Sequence, residues 1–234
     1  MRGVFVNIVT VLAGTAVGLG FGRLIHERFR TIAMTAMGLA TLAIGMKMAI
    51  STHNPVILVG SLVVGSIIGE AAGIERRLES FGEWLQRVVH GSALLAPSPD
   101  RHGHTLVEGF VTASLLYCVG AMTILGSIKD GLGDPTLLYL KATMDGVASI
   151  ALASTLGVGV GFSVIPILAI QGGLALGAHA VQPYLTPAVI RELSAAGGTL
   201  ILAIGLDLAK VKRLPVGNML PAILVAAVAG WFWG

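Results

Sequence analysis

Residues 33 to 46 read AMTAMGLATLAIGM, a stretch without one charged side chain, and runs of the same kind recur from one end of the chain to the other. Each is close to what a membrane helix requires. The hydrocarbon core is about 30 Å thick and a helix rises about 1.5 Å per residue, so roughly 20 mostly apolar residues cross it. A soluble domain of this length has no interior large enough to hide so many of them. Of 234 residues 55% are hydrophobic and 12% charged, and the mean hydropathy is +0.87. The expectation is an all-α polytopic membrane protein. The apolar run after Arg2 is long enough to span, and it reads as a first helix rather than a cleaved leader.

Prolines, glycine clusters and charges divide the chain into eight expected spans at 4–22, 32–50, 55–74, 105–127, 135–154, 163–181, 191–209 and 215–233. The loops after the first, third and seventh then share one side and hold Arg23, Arg28, Arg30, Arg76, Arg77, Arg87, Arg101, Lys210, Lys212 and Arg213, while the other side holds Arg2, Lys129 and Arg191. Basic residues gather in cytoplasmic loops, so this asymmetry predicts both termini outside. The uncharged segment TLGVGVGF at 155–162 reads either as a turn or as a broken helix at membrane depth. Unwound backbone is tolerated there only where protein buries it or it lines a cavity. Its glycines are no phosphate loop, since no strand precedes them and no lysine follows. Residues 75–103 open as an amphipathic interfacial helix, with Ile74, Leu78, Phe81, Leu85, Val88 and Val89 on one face and Glu75, Arg76, Glu79, Glu83 and Arg87 on the remainder.

The chain also resembles itself. Aligning 32–50 with 192–210 matches Ala36, Gly38, Leu42, Ala43, Ile44, Gly45 and Ala49 to Ala196, Gly198, Leu202, Ala203, Ile204, Gly205 and Ala209. About two matches are expected by chance in so Ala-, Gly- and Leu-rich a chain. The same offset pairs Pro55 and Val56 with Pro215 and Val216, and an offset shorter by one residue pairs Gly14 and Gly18 with Gly173 and Gly177. Spans one to three then recur as spans six to eight, running the opposite way through the membrane. Inverted repeats of this kind are a recurring plan of secondary transporters. The expected organisation is a single transmembrane domain over 1–234: a first repeat at 1–74, the interfacial helix and linker at 75–103, central helices at 104–160 and a second repeat at 161–234.

The stretch GSIKDGLGDPTLLYLKATMDGVASI at 126–150, the opening VNIVTVLAGTAVG and the closing LPVGNMLPAI resemble the bacterial inner-membrane proteins of domain-of-unknown-function family 554, the YqgA-like proteins. The resemblance runs over essentially the whole chain. It implies a multi-pass protein of the bacterial inner membrane and a transport role, but no mechanism.

Charged side chains at membrane depth cost about 2.5–3.5 kcal/mol by insertion scales, so they face the protein interior and mark a pathway or a partner. Asp134 followed by Pro135 is a strong helix start, the aspartate as N-cap and the proline as first helical residue. Counting from there puts Lys141 roughly 9 Å and Asp145 roughly 15 Å deep, on one helix face at i,i+4 spacing. Two readings stand: an ion pair that fixes helix packing, or a carboxylate that binds a proton or a cation such as Na⁺, with Lys141 as its internal competitor or as an anchor for an anionic substrate. Asn218 and Pro221 form a second candidate, the proline leaving the Gly217 carbonyl without its helical donor. Glu70 and Asp207 lie near the cytoplasmic ends of their spans, and Asn7 and Gln171 complete the set. The repeat equates Lys47 with Asp207, but inversion sets them near opposite surfaces. Steps of GxxxG at Gly14/Gly18/Gly22, Gly65/Gly69/Gly73 and Gly173/Gly177 let helices approach closely, within the chain or in a homodimer.

Enzymatic readings find little support. The GLGD tetrapeptide at 131–134 suggests an intramembrane aspartyl protease, but its aspartate precedes a proline in a loop and lacks a second carboxylate at membrane depth. No nucleophile elbow exists. His102 and His104 have no third ligand, and the single cysteine, Cys118, gives neither a disulfide framework nor a metal site. No resident cofactor or metal and no nucleic-acid partner is expected. The bilayer and a small solute or ion are the expected partners. A secondary transporter is the first reading, with an ion channel or a non-transporting scaffold or sensor as the alternatives.

Overall fold

The structure, a computed structural model, describes residues 1–22, 27–90, 106–119 and 121–233. Arg23, Arg101, His102 and His104 fall outside it, as do the side chains of Leu85, Val88 and Val89. Every described element is a helix or a helical turn. In order these are α1 (Arg2–Gly22), α2 (Glu27–Ala49), α3 (Pro55–Ala72), α4 (Ile74–His90), α5 (Leu106–Cys118), α6 (Ala121–Gly131) and α7 (Thr136–Leu156). A run of short pieces follows: α8 (Gly159–Phe162), α9 (Val164–Ile167), a π turn (Leu168–Gly172), α10 (Gly173–Leu176) and α11 (Ala178–Val181). After a 3₁₀ turn at Gln182–Tyr184 come α12 (Pro187–Leu208), α13 (Val216–Met219) and α14 (Pro221–Trp233).

Six of these stretches are long and apolar enough to cross a membrane: Arg2–Gly20, Pro55–Ala72, Thr136–Leu156, Gly159–Leu176, Pro187–Leu208 and Val216–Trp233. The fourth expected span is not straight. It is the pair α5 and α6, bent by 66°, and counting it as one crossing gives seven. α2 is a continuous helix of 23 residues whose described apolar part includes Thr35–Ala49. The described residues thus give six candidate spans, or seven with the bent pair as one.

TLGVGVGF resolves into a tight turn followed at once by the next span, which begins at Gly159 rather than at 163. Gly157 has φ +77° with ψ −158°, a conformation open to glycine alone. A Cβ on Gly159 would run into the Leu106 carbonyl oxygen. The turn is buried, as irregular backbone at this depth has to be. The same span bends further along, because Pro166 has no N–H to give to Phe162, and the wide turn Leu168–Gly172 follows directly.

Glycines set how the helices pair. A Cβ on Gly14 or Gly18 would strike the carbonyl oxygens of Gly146 and Ile150, so α1 lies parallel to α7 with the backbones almost touching. Gly38 faces Ala209 and Gly45 faces Leu202, while Gly198 faces Ala49 and Gly205 faces Leu42, which makes α2 and α12 antiparallel. Gly65 and Gly69 rest on Ala222 and Asn218, setting α3 antiparallel to α13 and α14. The first two GxxxG faces are thus occupied within one copy of the chain. Gly173 and Gly177 do otherwise: nothing lies within 4 Å of a Cβ on Gly173, and Gly177 marks the break between α10 and α11. Gly73, at φ +62°, caps α3 with its N–H on the Glu70 carbonyl at 3.0 Å and turns the chain into α4. That helix rests its Phe81 on Phe110, with ring centres 5.7 Å apart. The core runs through Phe110, Tyr117, Leu152, Ile167 and Leu200.

Gly14→Val forces α1 off α7 and is expected to cost about 3 kcal/mol. Gly60→Ala, where a Cβ meets nothing within 4 Å, changes stability by at most about 1 kcal/mol. Thermal unfolding of the two variants in detergent, against wild type, checks both.

Candidate functional site

The site begins with the start of α7. Asp134 Oδ1 accepts the Thr136 N–H at 3.1 Å, and the Pro135 carbonyl accepts from Tyr139 at 2.9 Å. The helix therefore opens one residue later than its sequence suggests: Pro135 is the N-cap, Thr136 the first helical residue, and Asp134 bonds the Thr136 N–H from just before the cap. The hydrogen bonds from Thr136, with Lys129 nearby, hold the Asp134 carboxyl below its usual range. Nine residues on from Thr136, about 14 Å along the axis, stands Asp145, close to the middle of Thr136–Leu156.

Three spans meet there. Lys141 Nζ donates to Asp145 Oδ2, and the Asn7 side chain of α1 donates to the same oxygen at 3.1 Å. The Asn7 amide also donates to Gln171 Oε1, in the π turn, at 3.1 Å. Lys141 and Asp145 are buried, and Asn7 and Gln171 are wholly so. Asn7 Oδ1 and Gln171 Nε2 have no partner. Four residues named from separate spans thus form one cluster, brought together by the glycine contact of α1 with α7 and by the bend after Pro166.

From α5, the Tyr117 ring lies with its centre 5.9 Å from Lys141 Nζ. The Tyr117 hydroxyl donates to Ser149 Oγ at 2.8 Å, since the Ser149 hydrogen goes to the Asp145 carbonyl, also at 2.8 Å. Across the α5–α6 bend, Thr123 Oγ1 donates to the Tyr117 carbonyl at 2.9 Å, which ties the two halves of the broken span. Lys141 and Asp145 form one end of a cavity of about 480 Å³ whose other walls are mostly apolar, among them Met37, Met48, Met122 and Ile201. The arrangement has one cation and one anion, net neutral, in a dry setting beside a chamber of ligand size.

The other candidates lie elsewhere. Asn218 Nδ2 donates to Glu70 Oε2 at 2.6 Å, Asn218 Oδ1 accepts the Glu75 N–H at 2.8 Å, and the Gly217 N–H reaches Glu75 Oε2 at 3.1 Å. This amide clamps the α3–α4 corner to α13. The expected free carbonyl of Gly217 is not free, because it accepts from Leu220 at 3.3 Å: the last span tightens by a turn before Pro221 and satisfies it. Asp207 is half-buried beside a separate cavity of about 300 Å³ that includes Glu108, Lys210 and Arg213. Lys47 is exposed on α2. Among the described residues no three His, Cys, Asp or Glu side chains gather as a metal site would need.

Two buried carboxylates were missed from sequence. Asp130 accepts the N–H groups of Gly3 and Val4 at 3.0 and 3.2 Å and so caps α1. Glu192 accepts from Thr52 Oγ1 at 2.6 Å and from the His53 N–H at 3.1 Å, holding the turn between α2 and α3. Each follows a basic residue near the edge of a span, Lys129 or Arg191, and nothing local in sequence marks its distant partner.

At the clamp, burial pushes the Glu75 carboxyl up from its usual range against the pull of the Gly217 N–H. A carboxyl with a raised folded pKa binds more protons folded than unfolded, so its contribution falls as pH rises through that window. Lowering pH from 7 towards 5 is expected to stabilise the α4–α13 corner, and Glu75→Gln removes that part of the pH dependence. Hydrogen exchange at the Gly217 amide over this range provides the measurement.

The comparisons with known proteins agree with this architecture. The family model described as "Protein of unknown function (DUF554)" matches residues 2–231. The Bacillus subtilis (strain 168) "Uncharacterized membrane protein YdfK" is 32% identical over 97% of the chain and 95% of its own length. The Escherichia coli (strain K12) "Uncharacterized protein YqgA" is 32% identical over 99% of the chain and 97% of its own length. No solved structure matches. With helices able to cross a membrane and a match running its whole length, the chain belongs to the DUF554 family of membrane proteins.

Proposed function

We propose that the protein is a secondary transporter that moves a small solute or ion across the bacterial inner membrane, coupled to a proton or cation through Asp145, and that it is not an enzyme. The observation that carries this is the Lys141–Asp145 pair held at half depth by side chains of three spans beside a cavity. A pair needed only for packing has no use for a chamber at its side.

The two unpartnered amide atoms support coupling. With Asp145 charged, Asn7 donates to it and to Gln171. If Asp145 takes a proton, half-turns of both amides let Asn7 Oδ1 accept from the Asp145 hydroxyl and from Gln171 Nε2. The atoms now without partners are the ones this second state uses. The protonation of α7 is thereby registered by α1 and by the bent sixth span.

Two inverted halves, 1–74 and 161–234, complete the reading. The contacts of α2 with α12 exchange under the repeat: Gly38 on Ala209 becomes Gly198 on Ala49, and Gly45 on Leu202 becomes Gly205 on Leu42. Packing directions fit eight crossings with α5 and α6 as one, since the first and fifth run parallel and so do the fourth and sixth. The ion pair of Arg213 with Glu79 at 3.0 Å puts two of the basic loops on one face, consistent with both termini outside.

Purified protein in liposomes under an imposed proton gradient is expected to move protons, read with an internal pH dye. Asp145→Asn is expected to lower the rate at least tenfold, with Lys47→Gln unchanged. Equal rates in wild type and Asp145→Asn remove Asp145 from the mechanism, and no movement in any gradient favours a scaffold.

A further inference from the structure

The cavity beside Lys141 has a mouth, and its position is informative. Ala40 and Ile44 on α2 and Thr143, Met144 and Val147 on α7 line the cavity and are also exposed, Val147 by 67%. All five lie in the interior of their helices, at least five residues from either end of Glu27–Ala49 or Thr136–Leu156. At that height a membrane protein is surrounded by acyl chains. Among the described residues, and apart from the Thr143 hydroxyl, which turns back to the Leu140 carbonyl at 2.7 Å, the rim has no polar group. The opening suits a molecule dissolved in the bilayer and offers nothing to a hydrated one.

We infer that the ligand of the Lys141–Asp145 site is a membrane-soluble weak acid, a carboxylic acid on a hydrocarbon tail, which reaches the site sideways between α2 and α7. This rests on the transporter reading for what the site does and adds the class of its cargo. The tail fills the apolar chamber and the head meets Lys141, whose ammonium has three N–H groups and spends one on Asp145. The acid arrives neutral. Its proton passes to an Asp145 oxygen as Lys141 turns to the carboxylate, so one O–H bond breaks, one forms, and the site stays net neutral. The charged and titratable groups facing Asp145 are Lys141 on its own helix and Tyr117 and Cys118 from α5, while α1 and the sixth span contribute the neutral amides Asn7 and Gln171. A lipophilic amine entering neutral would have to take the Lys141 proton to pair with Asp145, and it is therefore the competitor against which the acid is tested.

The test is equilibrium binding of radiolabelled decanoate to the protein in lipid nanodiscs, with decylamine and leucine as competitors. Decanoate is expected above the level of empty discs, displaced by neither competitor. Lys141→Gln is expected to weaken binding at least tenfold. Because that change strands Asp145, the double variant Lys141→Gln/Asp145→Asn, which removes both charges, is measured too, with the same loss expected. Val147→Trp is expected to slow association at least tenfold, and Lys47→Gln to change nothing. Decanoate at the empty-disc level, displacement by decylamine or leucine, or full binding by the double variant overturns the inference, as does disulfide capture of a second copy by Val147→Cys. Proton movement that depends on Asp145 without decanoate binding sinks this inference alone, whereas binding without proton movement sinks the transporter reading and leaves the ligand class standing.

Discussion

A carboxylate halfway through a bilayer has to be satisfied by the protein, and the centre of this molecule is arranged around that need. Removing one partner of a buried ion pair typically costs about 3–5 kcal/mol, because the survivor is left without compensation. Lys141 answers the charge of Asp145 from one turn away, but a single lysine leaves most of the carboxylate's acceptor capacity unused. Asn7 supplies a further donor only because α1 lies against α7, and α1 lies there only because Gly14 and Gly18 have no side chains. Gln171 reaches Asn7 from a turn that a regular helix would not contain. Backbone geometry in three spans is thus tied to one charge.

The same dependence explains what sequence could disclose. The position of α7 follows from Asp134 and Pro135, and the depth of Asp145 from counting residues, because both are local rules. Asn7 and Gln171 were legible as polar residues in apolar runs, but their meeting with Asp145 was not. Helices apolar on all sides carry no stripe that names a neighbour. The bend between α5 and α6 escaped notice because no proline or charge marks it, and hydropathy runs through it unbroken. The turn at Gly157 stayed ambiguous until its burial was known, since glycine permits either a turn or a broken helix. Asn218 and Glu70 were likewise legible singly, but their meeting at the α3–α4 corner was not. Asp130 caps α1 and Glu192 holds the turn before α3, both from far away in sequence, a relation no local window contains.

The packing of α2 on α12 bears on motion. A self-complementary contact in which residue pairs exchange under the repeat looks alike from both halves, so it fits a pivot better than a gate. Away from that contact the halves differ. In the second, α12 packs broadly on α14, whereas in the first α2 has no comparable packing against α3 and turns its free side to the cavity and α7. On the proposed inverted repeat, such inequality would be expected of one of two opposite-facing states, the counterpart closing α2 onto α3 and freeing α12 from α14. Whatever selects between them has only a modest free energy to supply, on the scale of the few kcal/mol that a bistable element needs. A change in hydrogen bonding at Asp145, carried into α1 and the sixth span by Asn7 and Gln171, is of that size.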